Sequence, residues 1–208
     1  SLPVQYFLPL IGWRAIFLSI AALTSICIIL IVIFIPKWQS KIVTDEKLNE
    51  NKLSTVWKNS LFRSLVPMGF FTYGGLFAIQ TLWAGPWMIR VSGYTPLESA
   101  QGLFVIYLSM LISFLCWGYF VPKFSKNIND AIRWLKVGAP INIIVLAIII
   151  YLGPKAGSIH WAVFIVSSIF LSLAHPAVGM AFSLSNAGKA LTSFNLLLFI
   201  GAFFMQWI

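Results

Sequence analysis

Residues 70–90 read FFTYGGLFAIQTLWAGPWMIR. The stretch is continuously apolar over about the 20 residues that an α-helix needs to cross roughly 30 Å of hydrocarbon. Yet it carries Gln80 at its middle, the pair Gly74 and Gly75, and Gly85-Pro86 near one end. A plain membrane anchor needs none of these residues. The span has a task besides crossing.

The rest of the chain places that span among others of its kind. Of all residues, 60% are hydrophobic and only 9% charged, the composition of an integral membrane protein. Apolar runs recur at 14–35, 65–89, 98–120, 132–152, 160–183 and 190–208, and residues 1–11 read as the tail of an earlier one. A membrane barrel shows alternating segments of about ten residues, whereas these runs are apolar throughout at twice that length. The expected fold is therefore all-α, a polytopic membrane helical bundle of about six transmembrane helices. The chain begins at Ser1 and ends at Ile208, both inside apolar segments, and reads as a fragment without a signal peptide. Cys27 and Cys116 fall mid-span, where packed thiols are expected rather than a disulfide.

Short loops rich in Lys and Arg stay on the cytoplasmic side. One set of gaps holds Lys37, Lys41, Lys47, Lys52, Lys58, Arg63, Lys123, Lys126, Arg133, Lys136 and Lys189, eleven of the fourteen basic residues. The other set holds only Arg14, Arg90 and Lys155. The net charge of +9 is thus topology, and no nucleic-acid partner is expected. The longest gap, 36–63, is the one soluble stretch. Within it Val56, Trp57, Ser60 and Leu61 recur at helical spacing, which predicts a short helix lying on the cytoplasmic interface. Thr95, Pro96 and Glu98 predict a capped helix start, Asn129-Asp130 another, and Pro154 with Gly157 an outer turn.

This arrangement resembles the major facilitator superfamily of secondary transporters, whose two six-helix halves are joined by a long cytoplasmic loop. GWRAIF at 12–17 looks like the outer start of the sixth helix, 36–63 like the central loop, and the later spans like helices seven to eleven. The fragment would then run from the end of helix five to helix eleven. Residues 1–35 would end the N-terminal half, 36–63 form the central loop with its interfacial helix, and 64–208 make an incomplete C-terminal half. LWAGPWM at 82–88 and TSFNLLLFIGAFFMQW at 192–207, after NAGK, look closer to a bacterial branch of undefined substrate. The superfamily's basic motif between helices eight and nine is only faintly echoed by WGYFVPKFSKNIND at 117–130. The span 98–120 lacks the arginine that nitrate porters carry in the corresponding helix, which counts against nitrate.

At about 100° per residue the opening span sorts into three faces. Tyr73, Phe77, Gln80, Ala84 and Trp87 share one; Gly74, Ala78, Thr81 and Gly85 a second; Leu76, Ile79 and Trp83 a third. Small residues invite a neighbouring helix and the third face suits lipid, so the first is left to line a cavity. Gln80 is either a substrate contact or an interhelical hydrogen bond, and both readings stay open. Gly85 and Pro86 are candidates for flexibility at a gate. In the last span Asn195 and Gln206 stand eleven residues apart and point nearly the same way, with Thr192 and Ala202 close to that face. They too line a cavity or join helices. His175, before Pro176, is either a proton relay or a neutral ring bonded to a carbonyl that the proline frees. His160, at an outer boundary, is expected to be solvated.

No Asp or Glu lies deep in a span, so carboxylate proton coupling has no candidate here. No catalytic or metal-ligating pattern is present, and no enzyme activity, cofactor or metal is expected. The resemblance implies secondary active transport by alternating access in the cell inner membrane, central loop cytoplasmic. Gln, Asn, Tyr and Trp side chains suit a small polar or amphipathic organic solute. The expected partners are the bilayer, that solute and the missing N-terminal half. The rival reading is a non-transporting receptor or assembly protein on the same fold. The orientation has a direct test: a cysteine at Asn49 is protected from a membrane-impermeant thiol reagent in intact cells, whereas one at Ser92 reacts. The reverse labelling pattern overturns it.

Overall fold

The computed structural model describes residues 2–34 and 53–208. Most of the expected central loop, 36–52, lies outside the described residues. The chain divides into two units, one ending at Leu48 and one beginning at Asn49. In the first, α1 (Leu2–Phe34) is interrupted at Gly12, whose φ of 72° and ψ of 163° are not helical. Glycine reaches positive φ without a Cβ clash, and Pro9 just before it cannot donate to the helical ladder. The interruption falls between the expected tail at 1–11 and the expected span from 14.

The second unit contains α2 (Leu53–Lys58), α3 (Ser60–Arg90), α4 (Pro96–Phe124), α5 (Ile128–Leu152), α6 (Ser158–Met180) and α7 (Leu184–Trp207). Together with α1, the described residues hold six helices long and apolar enough to cross a membrane, and no strand. Helices are what hydrocarbon permits, because they satisfy every backbone polar group within the segment. Thr95 opens α4 with a full capping box: Glu98 N–H donates to its hydroxyl at 3.2 Å and its own N–H donates to the Glu98 carboxylate at 2.8 Å. The α5 cap is Asn127 rather than the expected Asn129-Asp130. Its side chain accepts from Asp130 N–H at 3.0 Å, which places Asp130 in the first turn.

The expected interfacial helix is two helices. Asn59 interrupts it, its side chain accepting from Phe62 N–H at 3.0 Å to start α3. Val56 does not lie on a surface: it is fully buried with Phe62, Leu135, Val178, Ala190 and Phe194 in a core cluster at one end of the unit. A second cluster, around Met88, Ile106, Ile149, Trp161 and Phe164, fills the other end. Cys27 and Cys116 are free and exposed rather than packed. His160 is not simply solvated, since its Nδ1 accepts from Gly157 N–H at 3.2 Å and closes the start of α6.

A backbone-to-backbone contact joins α3 to α7. A Cβ at Gly74 would stand 2.5 Å from the Gly201 backbone, and one at Gly201 would collide with the Phe70 carbonyl. The expected small-residue face of α3 is therefore a seam, with Gly74 and Ala78 buried. Its third face departs from expectation: Leu76 and Ile79 pack on the second cluster instead of facing lipid, while Trp83 is half exposed. The cause is local. Met68–Tyr73 and Ile79–Trp83 are π-helical, with wider turns than the α-helix on which the 100° reckoning rests. α6 is irregular in the opposite sense, since Ser168–Leu173 is 3₁₀ and leads into His175-Pro176.

Replacing Gly201 by Leu forces the α3 and α7 backbones apart. Overpacking of this kind costs about 1–3 kcal/mol, read as a lower melting temperature in detergent. Gly188→Ala, on the same helix with nothing within 4 Å of an added Cβ, leaves that temperature unchanged or raises it.

Candidate functional site

Three candidate residues meet where α3, α6 and α7 adjoin. Pro176 has no N–H to give the carbonyl one turn before it, and the preceding turns tighten to 3₁₀. This turns His175 towards α7. His175 Nε2 stands 3.2 Å from Asn195 Oδ1, so the imidazole donates there when that nitrogen carries its proton. The partner is thus a side chain, not the carbonyl freed by the proline. The His175 ring sits edge-on to Tyr73 at 5.9 Å and to Phe194 at 5.5 Å between centroids. Asn195 is exposed and His175 and Tyr73 are half-buried, so the imidazole is reachable along Asn195.

Gln80 belongs to a second group. Its amide Nε2 donates to Met110 Sδ at 2.9 Å, and the Tyr107 hydroxyl donates to the Gln80 backbone carbonyl at 3.1 Å. Thioether sulfur is a weak acceptor, so the amide holds a bond that a better partner can replace. Tyr107 and Phe77 stay 40% and 39% exposed, which leaves this face of α3 and α4 open. Gln206 reaches across the seam from α7, its Nε2 donating to Thr81 Oγ1 at 3.0 Å, while the Thr81 hydroxyl donates to the Phe77 carbonyl at 2.7 Å. Asn195 and Gln206 share a helix face yet serve different neighbours.

Trp87 is set apart from these residues. It packs edge-on to Trp161 at 5.9 Å beside the second cluster, and both indole N–H groups are buried without an acceptor. Gly85 and Pro86 do not break the helix, because Ala84–Arg90 is regularly helical. The Ser99 hydroxyl donates to the Gly85 carbonyl at 3.2 Å and ties that segment to α4. The irregular backbone lies one turn earlier, in the π segment that contains Gln80.

The structure therefore brings Tyr73, His175 and Asn195 together, joins Gln206 to Thr81, and gives Gln80 the partners Met110 and Tyr107. It does not bring Trp87 to them. Met110, Tyr107, Phe194 and Trp161 escaped sequence reasoning, because a thioether and aromatic rings in apolar spans carry no signal beyond hydrophobicity. Among the described residues, no group of three His, Cys, Asp or Glu side chains could hold a metal. What these residues offer is amide, imidazole and phenol groups beside aromatic faces, a set that binds neutral polar surface and apolar surface at once.

The family model described as Major Facilitator Superfamily matches residues 3–205. No curated protein and no solved structure matches the chain. The match spans all six membrane-length helices and both core clusters, and the family's members are transporters rather than enzymes. The chain belongs to the Major Facilitator Superfamily, as a multi-pass membrane transporter.

Proposed function

We propose that the chain serves secondary active transport of a small polar or amphipathic organic solute by alternating access in the cell inner membrane. The observation that carries this reading is the grouping of Tyr73, His175 and Asn195 on three different helices. Uncharged polar groups are costly in hydrocarbon, and here they stand on an accessible face rather than sealed in the core. Gln206 extends that wall along the α3–α7 seam, and Gln80 adds a second polar group on the α3 face towards α4, with Trp87 further along α3. In this proposal residues 1–35 end one helical half, 36–63 form a cytoplasmic central loop, and 64–208 supply the half that carries the wall. The excess of Lys and Arg in alternate gaps supports that orientation. The partners are the bilayer, the solute and a second helical half, with no nucleic acid. No catalytic step and no cofactor enter.

The absence of a Lys or Arg among these residues favours a polar organic solute over an inorganic anion. Its imidazole makes His175 the proton carrier on this side of the mechanism, with Asn195 as the group that orients it. A receptor or assembly role on the same fold is the rival, and solute flux in vesicles separates the two.

Gln80→Leu and Asn195→Leu in the intact protein test the wall. Each is expected to raise the apparent KM several-fold, about the tenfold that 1.4 kcal/mol represents, with a melting temperature close to that of the unsubstituted protein. An amide that serves only to join helices gives the opposite pattern: stability falls by about 0.6 kcal/mol, and at most about 1.7, while affinity is untouched. That pattern in both variants means the wall is misplaced. His175→Gln is expected to flatten the pH profile of uptake while binding persists. A retained pH profile removes His175 from coupling.

A further inference from the structure

The corner where α4 ends and α5 begins takes no part in the proposed transport. Its apolar side is a cavity of about 200 Å³ lined by Trp117, Val121, Phe124, Trp134, Phe170 and Leu173. This exceeds the ~150 Å³ of an apolar cavity that stays dry and takes up benzene. The wall is built rather than accidental. A Cβ at Gly138 would collide with the Phe170 side chain, so only glycine lets Phe170 stand where it does. Phe170 stacks on Trp134 at 6.1 Å with an interplanar angle of 16°, and meets Trp117 edge-on at 5.0 Å. The Trp117 indole is fixed in turn, its N–H donating to Ser172 Oγ at 3.1 Å. Phe124, at the mouth, is 57% exposed.

The same corner is strongly basic. Lys123, Lys126, Arg133 and Lys136 are all exposed, and none has an ion-pair partner among the described residues. Lys123 rests over the Tyr119 ring at 3.9 Å. The only acid between them, Asp130, accepts from the Lys126 backbone N–H at 3.2 Å. Four cations and one carboxylate leave a local charge of +3 over residues 123–136. α4 ends at Phe124 and α5 starts at Ile128, so Lys123 and Lys126 flank the junction of two membrane-length helices, and the lining residues Phe124 and Trp134 are the sequence neighbours of Lys123 and Arg133.

We propose that this corner is a binding site for one anionic phospholipid, its phosphate held by Lys126 and Arg133 and the upper part of one acyl chain lying in the aromatic cavity. Charge and shape agree on that occupant. A zwitterionic lipid brings its own ammonium group into a field that repels it. A second copy of this chain is a poorer match, because it carries five acidic residues against fourteen basic ones. Basic groups over an apolar groove are the chemistry by which membrane proteins retain anionic headgroups. The site depends neither on the direction of transport nor on the solute.

The test uses the intact protein in phosphatidylcholine nanodiscs, with brominated acyl chains as quenchers of nearby tryptophan. Brominated phosphatidylglycerol is expected to quench at about five-fold lower mole fraction per basic residue engaged than brominated phosphatidylcholine does. Lys126→Gln with Arg133→Gln, both on exposed side chains, should remove that preference without changing the melting temperature. Val121→Phe, which fills the cavity, should weaken quenching by both lipids. Equal quenching by the two lipids in the unsubstituted protein overturns the proposal, and so does a preference that survives the double charge variant. Displacement of the lipid by glycerol phosphate alone also overturns it, because the chain then contributes nothing.

Discussion

The contact of Gly74 with Gly201 governs the arrangement of the second unit. Helices in lipid gain little from burying apolar surface against each other, so close approach and its dispersion contacts are what hold them. Here two backbones meet without side chains between them, and the Phe70 carbonyl lies against Gly201. One turn and more away, Gly69 admits Phe194 and Leu198 from α7. The seam thereby fixes α7 along its length, which is why Asn195 arrives at His175 and Gln206 at Thr81.

Polar groups along that seam are satisfied, but by modest partners. Gln80 donates to sulfur, and His175 shares one bond with an exposed amide. Such bonds cover the cost of keeping polar atoms in hydrocarbon when nothing else is present, and they yield to a solute that offers a stronger acceptor. The contrast is Asn142, buried on α5, whose amide donates to the Phe164 carbonyl at 3.1 Å and to Ser167 Oγ at 2.9 Å. That residue has both amide donors committed to a neighbouring helix.

Helix number and the all-α class were legible because hydrocarbon thickness leaves its length in the sequence, and Thr95 was legible because capping chemistry is local. The short glycine face of α3 could be read for the same reason. What escaped depended on the backbone departing from the regular α-helix. Two π segments altered the phase of α3, so Leu76 and Ile79 turned inward and Trp87 joined Trp161 rather than Gln80. Val56 was misread since composition cannot distinguish an amphipathic helix resting on lipid from one docked on protein. Tyr107 and Met110 were invisible for a simpler reason: nothing marks one aromatic or thioether among many as the partner of a given residue.

The π segments of α3 also bear on how this chain is to be compared with its relatives. A π turn holds more residues than an α turn over a similar length of axis, so each one carries the chain forward without carrying the helix forward. Against a relative whose corresponding helix is regular, residues beyond Tyr73 and again beyond Trp83 fall out of step by about one position each. An alignment that forbids gaps inside membrane spans will therefore pair Gln80 and Trp87 with the wrong counterparts. The insertion belongs in the middle of the span, at the π turns, and not in the loops where gaps are customarily placed.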